Sequence, residues 1–131
     1  MSTDAKSATG PKVMYWIGWV ITALPILSLV MSAIMKFVQP EFFPEEFKKL
    51  GWDMKYAVAL GVVEIVCVIL YIIPRTSVLG AILITGYLGG AVATHLRVDT
   101  PYFGPIILGV LVWLGIFFRD ARLRALLLLP S

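Results

Sequence analysis

The chain is short of the residues on which metal and redox chemistry depend. Its 131 residues include one cysteine, Cys67, and one histidine, His95. A lone cysteine makes no intramolecular disulfide and no Cys-x-x-Cys pair. One histidine with one cysteine falls short of a usual zinc site, so no metal is expected. Haem-ligand pairs, iron–sulfur cysteines and flavin motifs are missing too, so the sequence does not support direct electron carriage. Cys67, inside "GVVEIVCVILYII", reads as a small apolar residue. Charge is also scarce, at 15% of residues against about 25% in a typical soluble domain. The net charge is +3, but its basic residues stand singly or in small groups between apolar stretches. There is no basic stripe and no base-reading motif, so nucleic acid is not an expected partner.

Apolar residues are abundant: 60% of the chain is hydrophobic, in long blocks where a soluble core would scatter them. The length suits one domain. A bilayer core about 30 Å thick takes roughly 20 apolar residues at 1.5 Å each. Four spans meet or approach that requirement, over residues 13–37, 55–73, 77–96 and 104–118. The first holds Pro25 and ends on Lys36. The second is stopped by Pro74-Arg75 and the fourth, the shortest, by Arg119-Asp120. The first span is too long for a signal-peptide core and lacks a clean cleavage pattern, so it reads as a mature transmembrane helix. The expected fold is therefore an all-α membrane protein, a four-transmembrane-helix up-and-down bundle, since "PRTS" and "RVDTPYF" are too short for anything but antiparallel neighbours.

Outside the bundle (13–118), residues 1–12 read as a mobile polar tail. Residues 119–131, with arginines in register with leucines, read as an amphipathic tail drawn to anionic lipid. In the first loop Phe43, Phe47, Leu50 and Trp52 follow helical spacing with charges between them. That pattern predicts a short interfacial helix lying on the membrane, with an ordinary solvated loop as the alternative. Four spans put both termini on one side. That side carries Lys6, Lys12, Arg75, Arg119, Arg122 and Arg124, and the other Lys36, Lys48, Lys49, Lys55 and Arg97. The arginines abutting the last span favour cytoplasmic termini.

Polar residues within the spans are the candidate site. Glu64 lies mid-span, where an acidic side chain costs about 2.5–3.5 kcal/mol on insertion scales. It must face the bundle interior, either as packing glue or as an anchor for a polar ligand group. Pro25, Ser28, Ser32 and Lys36 share a helical face and point Lys36 inward; snorkelling to the headgroups is its other option. Gly86 and Gly90 form a GxxxG step, and with Gly89 they are expected to draw the third span against a neighbour. No strand precedes these glycines, so they are no nucleotide loop. With the first and third spans running outward, Lys36, Glu64, His95 and Arg97 are expected to converge in the outer half of the bundle.

The stretches "SAIMKF", "LGW", "LGVVEIVCVILYIIPRTSVLGAILITGYLGGAVATHLRV" and "LGVLVWLGIFFRD" resemble the DoxX-like family of small bacterial membrane proteins over nearly the whole chain after the tail. The most specific pieces are the lysine after the first span, the glycine-then-glutamate of the second, Pro-Arg in the turn and "GxxxGGAxATHL". The resemblance implies a bacterial inner-membrane protein with polar residues at Lys36, Glu64 and His95. Its members' links to quinone-reducing and other redox complexes suggest as partners a quinone or other lipophilic molecule, membrane lipids, and further subunits or a second copy. Cofactors stay unknown. Four functions remain open: a ligand-binding accessory subunit of a redox or stress-response complex, an acid–base enzyme using Glu64 and His95, a small proton-coupled transporter, and a purely structural protein.

Overall fold

A computed structural model describes residues 2–128, with side chains from residue 12 onward. Its elements are α1 (Ser2–Val38), α2 (Phe43–Lys49), a 3-10 turn (Met54–Tyr56), α3 (Ala57–Ile72), α4 (Ser77–Arg97), α5 (Phe103–Arg119) and α6 (Ala121–Leu127). No strand occurs among the described residues. The expected mobile tail over 1–12 falls almost wholly on residues whose side chains lie outside the described set, as do residues 129–131 of the C-terminal tail.

Three helical stretches are long and apolar enough to cross a membrane: Lys12–Val38, Met54–Ile72 and Ser77–Arg97. The shortest of them has 19 residues, about 28 Å at 1.5 Å per residue, close to the hydrocarbon thickness. Apolar α5 is shorter, at 17 residues. Helix α1 packs on α3 and α5, and α4 packs on the same two, so each long helix has two neighbours. The core between them is narrow and includes Leu29, Val68, Tyr71, Ile84, Val112 and Ile116. Outward-facing positions are apolar as well, among them Val20, Leu27, Ile69 and Val110. A surface greasy on its outer faces is one that lipid rather than water must cover.

Close helix approach depends on glycines other than the expected ones. A Cβ at Gly80 would land on the Tyr71 backbone, locking α4 against α3. A Cβ at Gly115 would land on the Thr22 hydroxyl, and one at Gly18 would lie 2.7 Å from the Arg119 amide nitrogen, so α1 and α5 touch backbone to backbone. By contrast, Gly86, Gly89 and Gly90 have open space around them and make no close contact within the chain. The reason is angular. The buried face of α4 is Ser77, Gly80, Ala81, Ile84 and Leu88, and at about 100° per residue Gly86 and Gly90 fall on the far side.

The loop after α1 folds onto the helix ends. Phe43 and Phe47 of α2 are buried with Ala57, and Trp52 and Leu60 pack against them. Helix α2 stops at Lys49, because Leu50 caps it and Gly51 follows at φ 85°. Trp52 therefore reaches Phe47 by a turn rather than by continued helical spacing, their rings stacking at 6.4 Å.

Helix α6 folds back on the opposite end of the assembly. Asp120 is its N-cap, accepting from the amides of Arg122 and Leu123, while the Arg122 guanidinium donates to the same carboxylate at 2.9 Å and to the Pro74 carbonyl at 2.7 Å. Arg124 donates at 2.7 Å to the carbonyls of Phe117 and Phe118 at the end of α5. Burial alone would raise the Asp120 pKa. The Arg122 side chain and the two amides outweigh it and hold the carboxyl below its ordinary 3.8. A lowered folded value means this stabilisation is fully present above pH 3.8 and is lost as pH falls through the lower folded value. Amide protection over residues 121–127, taken relative to the intrinsic exchange rate at each pH, is thus expected to fall on going from neutral to strongly acidic pH. In Asp120→Ala that protection is expected to be lower already at neutral pH, since a lost cap costs about 1 kcal/mol. Equal protection in the variant at neutral pH would remove this role.

Candidate functional site

The polar centre of the structure is a buried ion pair between α1 and α3. Lys36 Nζ lies 2.7 Å from Glu64 Oε1, with the side chains 11% and 1% exposed. Ser32, one turn before Lys36, accepts from Lys36 Nζ at 2.6 Å and donates to Glu64 Oε1 at 3.2 Å. Local geometry explains why Lys36 turns inward. Every Cα–Cβ bond in a helix leans toward the N-terminus, so a lysine near the C-terminal end of α1 leans back along α1 rather than out toward the headgroups. Gly61 makes room for it: a Cβ there would sit 3.3 Å from Lys36 Cβ and 3.1 Å from the Phe37 ring. Gly61 and Glu64 are three residues apart, on one face of α3. From α4, the Tyr87 ring lies 6.0 Å from Lys36 Nζ.

Two hydrogen-bonding capacities remain open at this centre. Glu64 Oε2 is buried and, among the described residues, has no partner. Of the three Lys36 ammonium protons, the bonds to Ser32 and Glu64 use two. Side by side, then, stand an anionic acceptor and a cationic donor in a water-poor setting. An orphaned buried acceptor costs about 1–3 kcal/mol, more when charged, so the centre favours a group that donates to it.

The structure brings together two of the four expected residues. His95 Nδ1 donates to the carbonyl of Ala91 on its own helix at 2.7 Å, and no hydrogen bond joins it to Lys36 or Glu64. It lies eight residues beyond Tyr87, about 12 Å further along α4. Arg97, exposed at the end of α4, donates to the Leu50 carbonyl at 3.3 Å and pins the first loop. Ser28 of the expected polar stripe is exposed, whereas Pro25, Ser32 and Lys36 face inward. Sequence reasoning passed over Tyr87, and it met Gly61 only in the family-like glycine-then-glutamate, without giving it a role. Gly61 carried a readable signal, a small residue one turn from a mid-span carboxylate.

Apolar helices, a lipid-suited exterior and one buried ion pair define a helical integral membrane protein. A family model described as the DoxX-like family matches residues 20–117, and the chain belongs to that family. No curated protein and no solved structure matches it.

Proposed function

We propose that this DoxX-like protein is a four-helix, up-and-down transmembrane bundle of the bacterial inner membrane. In this reading α2 lies at the interface and both termini are cytoplasmic, as the arginines beside α5 favour. The bundle binds the polar head of a lipophilic small molecule, of the quinone or hydroxylated-lipid kind, as an accessory subunit of a membrane redox or stress-response complex. The observation that carries this is the unpartnered Glu64 Oε2 beside the Lys36 ammonium. A carbonyl accepts from Lys36 while a neighbouring hydroxyl donates to Glu64, and movement of the half-buried Tyr87 ring admits the head group. The acid–base enzyme reading needs Glu64 and His95 together, and their separation gives it no support.

The test uses the protein in nanodiscs, with wild type, Glu64→Gln and Lys36→Met compared for binding of decylubiquinone and for co-purified lipophiles by mass spectrometry. Loss of a hydrogen bond to a charged group is worth about 1.5–3 kcal/mol, so affinity is expected to fall about ten- to a hundredfold. The same molecules retained equally by all three proteins would sink the proposed site.

A further inference from the structure

The end of the molecule opposite the Lys36–Glu64 pair holds a cavity of about 330 Å³, between Tyr15 and Trp19 of α1, the α3–α4 turn and the α5–α6 junction. That volume is in the range of small-molecule sites, roughly 300–1,000 Å³. Three arginines line it, Arg75, Arg119 and Arg122, against a single carboxylate, Asp120. Asp120 is committed to Arg122 and to capping α6. Among the described residues, Arg75 and Arg119 make no ion pair, so the cavity has uncompensated positive charge.

Arg119 is held as a binding group rather than a flexible flank. Its guanidinium stacks over Trp19 at 4.3 Å and over Tyr71 at 4.5 Å. Its Nε donates to the Thr22 hydroxyl at 3.2 Å and one Nη to the Tyr71 carbonyl at 3.0 Å. The other Nη donates to no described residue. A guanidinium fixed in this way presents its fork without losing further side-chain freedom on binding. Tyr15 and Trp19 complete the wall, and such aromatic residues sit at headgroup level in membranes. Rigid cationic donors with aromatic walls, in a cavity at the end of membrane helices, suit an oxyanion at the bilayer surface.

We propose that this cavity binds a phosphate oxyanion, delivered as the headgroup of an anionic phospholipid and held by Arg119 and Arg75. The site is independent of the Lys36–Glu64 centre and uses none of its residues.

The full-length protein is placed in nanodiscs of equal phosphatidylglycerol and phosphatidylcholine, and the lipids it retains are counted by native mass spectrometry. Wild type is expected to retain phosphatidylglycerol preferentially. With about 1 kcal/mol per arginine near a membrane surface, Arg119→Gln and Arg75→Gln should each lower the bound lipid ratio about fivefold. Excess sodium phosphate distinguishes the sources. Retention that persists assigns the site to the headgroup, and displacement assigns the same oxyanion chemistry to free phosphate. Arg119 also braces Thr22 and Tyr71, so its loss acts on folding as well as on binding; Arg75 is exposed and has no described hydrogen bond. An unchanged ratio in Arg75→Gln overturns the proposal whether or not Arg119→Gln folds.

Discussion

Lys36→Met is expected to destabilise the protein by about 3–5 kcal/mol, and adding Glu64→Gln to the same chain to recover most of that loss. The asymmetry follows from burial. The pair at 2.7 Å has both charges withdrawn from water, and removing the ammonium alone leaves a carboxylate whose environment was arranged around a cation. The double variant has no charge to strand, and the carboxamide introduced by Glu64→Gln retains groups that can bond Ser32. The surface pair Lys49–Glu46, at 3.5 Å and 67% and 62% exposed, supplies the contrast, since Glu46→Gln is expected to change stability by about 0–1 kcal/mol. Unfolding by SDS in mixed micelles, followed by tryptophan fluorescence, measures all four proteins. A Lys36→Met variant as stable as wild type would mean that the pair is solvated in the membrane-embedded protein. The double variant also separates stability from binding: stable protein that no longer takes up decylubiquinone attributes the lost binding to the charges themselves.

What could be read in the sequence follows from what a bilayer makes expensive. A span needs a long apolar run, so the helices announce themselves, and a carboxylate within such a run must turn inward, which singles out Glu64. Lys36 follows from the small polar residue one turn before it. Azimuth was not legible. A helix that is apolar all round has no polar face to mark its outside, so the conspicuous Gly86–Gly90 step drew attention while the close contacts fell to Gly80, Gly18 and Gly115. Depth misled in a similar way. His95 and Glu64 belong to the same half of the molecule, but the helix rise that separates His95 from Tyr87 puts it at the rim, where it bonds its own backbone. The arginine network at the other end was also hidden. Arg119 reads as an ordinary flank until Thr22, Tyr71 and Trp19, from two other helices, are seen around it.

Gly115→Leu is expected to be strongly destabilising, and Gly86→Leu to leave the folded chain intact. At Gly115 a Cβ collides with the Thr22 hydroxyl and lies 3.2 Å from the Thr22 amide nitrogen and from the Tyr71 hydroxyl. One neighbour is main chain, and the Tyr71 hydroxyl is held by the Val112 carbonyl at 2.5 Å, so neither yields without shifting a helix. Overpacking of this kind costs about 1–3 kcal/mol and sometimes more. Displacing the wholly buried Tyr71 adds about 1 kcal/mol for its hydrogen bond. Arg119 loses its platform too, because its guanidinium rests on Tyr71 and bonds Thr22. The damage therefore spreads from the α1–α5 crossing into the arginine cavity, and the phosphatidylglycerol preference is expected to fall with the folded yield. At Gly86 the added side chain meets open space and adds apolar surface where lipid lies. Monodisperse yield in detergent and resistance to trypsin compare the two variants directly. The reverse order of damage would place α4 with its glycine face inward and contradict the packing described for this chain.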